Sequence, residues 1–266
     1  MSMLVELPIG SYPSALTANL TDPGEYNFAT ARGMMWLSQL AYETRCLSKI
    51  DTVLKNWRLR RISFLKSPVS GILPLVDTRG LVVQGWGGIV VSFAGTDPLV
   101  PANWLTDLDT LPSPDDIHTG FENAVKSVWP ELRSAILTPD NDRQPLFFTG
   151  HSLGAALAAV AAKRVWDDKL ANINGIYTFG MPRCGGRRFV EEYASELGPK
   201  TFRFVHGDDI VPTVPPPNFG FRHVGCLFSC RHGEKFDSKA PLGPKAMILR
   251  LPAMHYCGAF AISCTQ

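Results

Sequence analysis

The chain is poor in charge, and what it has is balanced. Of its 266 residues only 19% are Asp, Glu, Lys or Arg, and 26 basic against 24 acidic side chains leave a formal charge of +2. The basic residues are scattered, so no polyanion-binding face is written into the sequence and nucleic acid is not an expected partner. The densest cluster, Lys55-Asn56-Trp57-Arg58-Leu59-Arg60-Arg61, reads as a solvated face between a helix and a strand. Long apolar runs are missing too, and none approaches the roughly 20 residues of a transmembrane helix. The N-terminal Met1 to Pro8 has neither a basic n-region nor an apolar h-region, so no signal peptide is expected. That expectation leaves an intracellular protein or a secreted one whose leader has been removed. Cysteine is sparse: the six, at 46, 184, 226, 230, 257 and 264, are too few for a disulfide scaffold. Cys226-x-x-x-Cys230 with Cys257 and Cys264 lacks regular metal-ligand spacing, so zinc is not expected, and free core cysteines or one or two disulfides fit better. Internal repeats, low-complexity stretches and linkers are absent, so residues 1–266 are expected to form a single domain.

What is present is an alternation of apolar segments. Phe28 to Leu54 carries apolar residues near helical spacing and predicts one helix. Arg60 to Leu65 and Gly80 to Trp86 predict strands. Ile89-Val90-Val91-Ser92-Phe93-Ala94 is a nearly continuous β-branched run of the kind buried on both sheet faces. A Pro-rich loop, 97–118, follows. Phe121 to Leu137 predicts a helix despite Pro130, and further strands are expected at 175–179, 201–205 and 245–251. This order argues for a central, mostly parallel sheet with helices on both faces and N-terminal strands pairing antiparallel at one edge. Ligands of such sheets sit beyond the carboxyl ends of the strands.

At one such end stands Gly150-His151-Ser152-Leu153-Gly154, a G-x-S-x-G run. It is preceded by the apolar Pro145-Leu146-Phe147-Phe148-Thr149 and followed by an alanine-rich stretch of strong helix formers. Strand, sharp turn and helix are the context of a nucleophile elbow, which would expose the Ser152 hydroxyl at a helix start. The alternative is a glycine-rich turn whose serine merely caps the helix.

A serine hydroxyl needs a positioned base, usually histidine, and a carboxylate to orient that base. Downstream, Val205-His206-Gly207-Asp208-Asp209-Ile210-Val211-Pro212 places two aspartates at a strand's end, and position alone does not choose between them. His223, His232 and His255 follow, and His255, just past the last expected strand, is best placed to reach over the sheet. His151 is read as supporting the turn. The oxyanion donors expected are the N–H of Leu153, next after the nucleophile, and Thr96, after the strand ending in Phe93-Ala94-Gly95.

Several ordered segments together resemble one family. They are Ser92-Phe93-Ala94-Gly95-Thr96, Asn103-Trp104-Leu105-Thr106-Asp107-Leu108, His118-Thr119-Gly120-Phe121, Gly150 to Gly154, and Thr178-Phe179-Gly180-Met181-Pro182-Arg183. His206 to Pro212, Phe219-Gly220-Phe221-Arg222-His223 and His255 complete them. In this order the chain resembles the class 3 lipases, the α/β-hydrolase family of fungal triacylglycerol lipases and their bacterial relatives. The resemblance implies an α/β-hydrolase fold and a Ser152-Asp209-His255 triad, selecting Asp209 over Asp208 and leaving His223 structural. It implies oxyanion donors at Thr96 and Leu153, and no metal or cofactor. The expected activity is serine carboxylic-ester hydrolysis of lipase type on acylglycerol or other fatty-acyl esters. A phospholipase A1 or feruloyl-type esterase is the alternative on the same fold, and a non-catalytic binding protein the alternative of another class. The acyl group is expected near Leu99, Val100, Trp104, Met181 and Val211. Two departures stand out. Ala94 occupies a position where the family often has Arg, and the family's helical lid would fall on the short, proline-containing span 97–103.

Overall fold

A computed structural model describes residues 6–20, 26–67, 78–95, 112–138, 144–207 and 209–230. Thr96, the span 97–103, Asp208, His232, the strand expected at 245–251, His255, Cys257 and Cys264 lie outside the described residues.

Among the described residues, seven strands form one sheet in sequence order: β1 Arg60–Lys66, β2 Arg79–Gly85, β3 Gly88–Phe93, β4 Leu146–His151, β5 Ile173–Phe179, β6 Thr201–His206 and β7 Cys226–Cys230. The first three pair antiparallel, and from β3 to β7 every pairing is parallel. The described helices are α1 Phe28–Leu40, α2 Leu47–Asn56, α3 Thr119–Ile136, α4 Leu153–Asp167 and α5 Arg187–Glu196.

Strand alternation divides the core in two. Ile89, Val91 and Phe93 of β3 and Leu146 and Phe148 of β4 pack with α3, α4 and α5. Val90, Ala94 and Phe147 pack with α1, α2 and the N-terminal Tyr12, Leu16 and Leu20. Each central strand is therefore apolar on both sides, which is why its sequence shows no polar alternation. The polar exceptions are satisfied: the Ser92 hydroxyl donates to Leu37 O (2.9 Å) and the Thr149 hydroxyl to Met34 O (3.1 Å), tying α1 to β3 and β4. Helix α4 is buried nearly all round, and its alanines let it lie close to the sheet.

The single helix expected over 28–54 is two. It breaks at a 3-10 turn, Ala41–Glu43, because this turn carries a fully buried carboxylate. Glu43 accepts from Leu7 N (2.7 Å), the Tyr12 hydroxyl (2.8 Å) and Lys49 Nζ (2.7 Å), and so binds the N-terminal segment to the turn. The basic stretch joins α2 to β1 with Lys55, Arg58 and Arg60 exposed, as a solvated face would. Trp57 is core, Arg58 takes the turn at φ 57°, and Arg61 pairs with Asp51 (3.0 Å). Cys46, Cys184 and Cys226 are free thiols.

Candidate active site

Four neighbouring strands deliver the site, each at its carboxyl end. Ser152 follows β4 with φ 60° and ψ −128°, a region that non-glycine residues avoid at a cost of about 1–3 kcal/mol. The strain is held by bonds on both sides: Ser152 N–H donates to Phe179 O of β5 (2.9 Å), and Ser152 O accepts from Ala155 N (3.0 Å). Its hydroxyl makes no capping bond to α4, so the helix-capping alternative is not what this serine does. Leu153 begins α4, where backbone N–H groups have no intrahelical acceptor and carry the positive end of the helix dipole.

The glycines of the elbow serve contact. A Cβ on Gly150 would collide with the Gly154 carbonyl, and one on Gly154 would collide with Phe93 O and lie 2.8 Å from Ala94 O. Their absence lets α4 start directly against β4 and the end of β3. Gly95 plays the same part from β3, since its Cβ would lie 3.2 Å from Ser152 Cβ and 2.8 Å from His151 O. Thr96, next in the chain, is outside the described residues.

Asp209 follows β6 and is buried. Its Oδ1 accepts from Val211 N (3.0 Å), and its own N–H donates to His206 O (3.3 Å). Two residues brace this loop. Arg183 donates through Nη1 to Thr213 O and to Pro215 O (2.7 Å), and its backbone N–H donates to Val214 O (2.8 Å). His223 Nε2 bonds Pro212 O (2.8 Å), and desolvation together with the Arg203 and Arg183 guanidiniums holds its pKa well below the ordinary histidine value. A neutral imidazole donating to a carbonyl is a structural histidine, as expected. Arg183 ends the Thr178-Phe179-Gly180-Met181-Pro182-Arg183 segment, but its bracing role is visible only in three dimensions.

His151 faces away from the reacting side: its Nδ1 lies 2.8 Å from the Tyr42 hydroxyl. Tyr42 had no signal in the sequence. Of the expected acyl-binding residues, Leu99, Val100 and Trp104 are outside the described residues. Met181 and Val211 are core members, 0% and 2% exposed, so they are packing residues here. His255 also lies outside, and no group of three His, Cys, Asp or Glu able to hold a metal occurs among the described residues.

A parallel sheet with an antiparallel edge, helices on both faces and a strained serine at a strand–helix joint define an α/β-hydrolase. Comparisons narrow the class. The family described as Lipase (class 3) matches residues 90–219. The chain is 31% identical to Lipase ZK262.3 of Caenorhabditis elegans over 212 residues, 73% of this chain and 57% of that protein. It is 35% identical to Secreted mono- and diacylglycerol lipase 1 of Fusarium solani over 144 residues, 51% of this chain and 42% of that one. Among solved structures it superposes at a TM-score of 0.61 and 26% identity on a triacylglycerol lipase whose catalytic centre is described as a serine protease triad, covering 75% of this chain and 78% of that one. The chain is thus similar to the class 3 lipases over residues 90–219. It spans between 42% and 57% of the length of these two curated relatives.

Proposed function

We propose that this protein is a serine carboxylic-ester hydrolase of lipase type, acting through Ser152, Asp209 and His255 as one domain over residues 1–266. The observation that carries the reading is Ser152 itself. Its backbone is strained, its hydroxyl does not cap α4, and it is wedged between the ends of β3 and β5. In this reading Ser152 Oγ attacks the ester carbonyl while His255 takes its proton. The Leu153 and Thr96 donors hold the oxyanion. His255 then protonates the leaving alcohol as the C–O bond breaks, and water deacylates the enzyme through the same base. Asp209 orients His255 and stabilises its imidazolium.

The substrates proposed are acylglycerols and other fatty-acyl esters, in keeping with relatives named as lipases and as a mono- and diacylglycerol lipase. No described helix is long and apolar enough to cross a membrane. Span 97–103, with Pro98 and Pro101, supports activity without a sharp rise at the substrate's solubility limit.

The test is Ser152→Ala. It is expected to leave a folded protein that neither hydrolyses p-nitrophenyl esters nor reacts with a fluorophosphonate probe. Retained hydrolysis in that variant rules the mechanism out. A series of acyl esters, dissolved and as emulsions, then separates lipase from esterase.

A further inference from the structure

The turn that breaks the first helix carries two consecutive buried polar side chains. Glu43 holds the N-terminal segment, as described above. Tyr42 reaches the elbow, 109 positions further along the chain. Its hydroxyl lies 2.8 Å from His151 Nδ1 and 3.4 Å from His151 O. A Cβ placed on Gly95 would collide with that same hydroxyl. One phenol oxygen thus touches the residue before the nucleophile and the residue before Thr96. The ring is buried, so it has nowhere to retreat.

We infer that Tyr42 is a positioning residue for the oxyanion hole, an inference that rests on the function proposed above. Its hydroxyl is hydrogen-bonded to His151 Nδ1, and that bond pins the elbow. Its oxygen sets how closely Gly95 approaches the elbow. The two expected donors come from different strands, Leu153 after β4 and Thr96 after β3, and they converge only if the spacing between those ends is fixed. Strained backbone such as that of Ser152 persists only where its surroundings over-determine it, and Tyr42 is one of those constraints. Tyr42 touches no substrate, so it acts through the placement of others.

The experiment compares Tyr42→Phe with Tyr12→Phe in the full chain, with Ser152→Ala as control. Tyr42→Phe keeps the ring and loses the hydroxyl. Its kcat on a p-nitrophenyl ester is expected to fall about 10-fold with KM nearly unchanged, because misplaced donors weaken the transition state more than the bound ester. Fluorophosphonate labelling should slow by a similar factor. Tyr12→Phe removes a bond to Glu43 on the same turn, so it should lower thermal stability and leave kcat at the wild-type value. His151→Asn, which keeps an acceptor near the Nδ1 position, should retain more activity than His151→Ala. Wild-type kcat and labelling in Tyr42→Phe overturn the inference, as does an equal loss in Tyr12→Phe. If Tyr42→Phe does not fold, the histidine pair decides, and equal activity of its two variants overturns it. Hydrolysis surviving Ser152→Ala refutes the lipase reading instead, a distinct result.

Discussion

Gly154→Ala tests whether the elbow's glycines are there for contact. No positive φ is recorded at Gly154, so alanine meets no conformational penalty, and as a helix former it gains about 1 kcal/mol. The obstacle is steric. The new Cβ would lie 2.8 Å from Ala94 O and 2.7 Å from Ala94 C, against 3.4 Å for an ordinary contact. Phe93 O, which ends β3, lies closer still, and all three atoms are backbone, so relief requires α4 to retreat by about 1 Å. Overpacking of this size costs about 1–3 kcal/mol, leaving a net loss of about 0–2 kcal/mol and a Tm lowered by a few degrees. The catalytic effect should be larger, because α4 carries the Leu153 N–H and the Ser152 joint with it. A displacement approaching 1 Å costs on the order of 10- to 100-fold in rate. Steady-state kinetics on a soluble ester, beside thermal unfolding, measures both quantities. A variant with kcat/KM within two-fold of the parent refutes the contact argument.

Other consequences follow from the same structure. Arg183→Met removes the bonds to Thr213 O and Pro215 O and should lower kcat about 10-fold by loosening the Asp209 loop; unchanged kcat counts against that bracing. Glu43→Ala strands Lys49, Tyr12 and the Leu7 N–H, and is expected to cost about 2–3 kcal/mol in urea unfolding, reduced because Lys49 can turn to water. Burial pushes the Cys184 thiol up to about 12, so it should resist alkylation at pH 8 until the protein unfolds, as peptide mapping would detect. The unfolded thiol loses its proton near 9 and the folded one near 12. Its contribution is therefore full below about pH 9 and declines between 9 and 12, by up to about 1.4 kcal/mol per pH unit. Burial raises Tyr177 and Tyr193 in the same sense, so they add to the loss of stability at alkaline pH.

The parts legible in the sequence were those whose burial leaves a local pattern. β3 and β4 are apolar on both faces, and α4 is alanine-rich because it is enclosed, so strand, elbow and helix stand out together. Helix α5 left little trace, since Phe189 and Tyr193 are its only buried residues and five of the other eight side chains are charged. The break at Ala41–Glu43 was hidden because apolar spacing runs on through Tyr42, whereas its cause is a carboxylate whose partners Leu7 and Tyr12 lie 36 and 31 positions away. Distance in sequence also hid the Tyr42–His151 pair. At the candidate site, Ser152 and Leu153 follow the end of β4 and Asp209 the end of β6, with β5 between them. The choice between Asp208 and Asp209 came from the family resemblance, and Asp208 lies outside the described residues.

The left-handed backbone at residue 152 also bears on how this protein would respond to engineering. Glycine adopts that conformation without strain, so Ser152→Gly should fold at least as stably as the parent, by up to about 1 kcal/mol, and be inert. A library sorted for heat resistance alone would enrich the dead variant. Any thermostability screen on this scaffold therefore needs turnover in its readout, because at this one joint stability and activity are opposed.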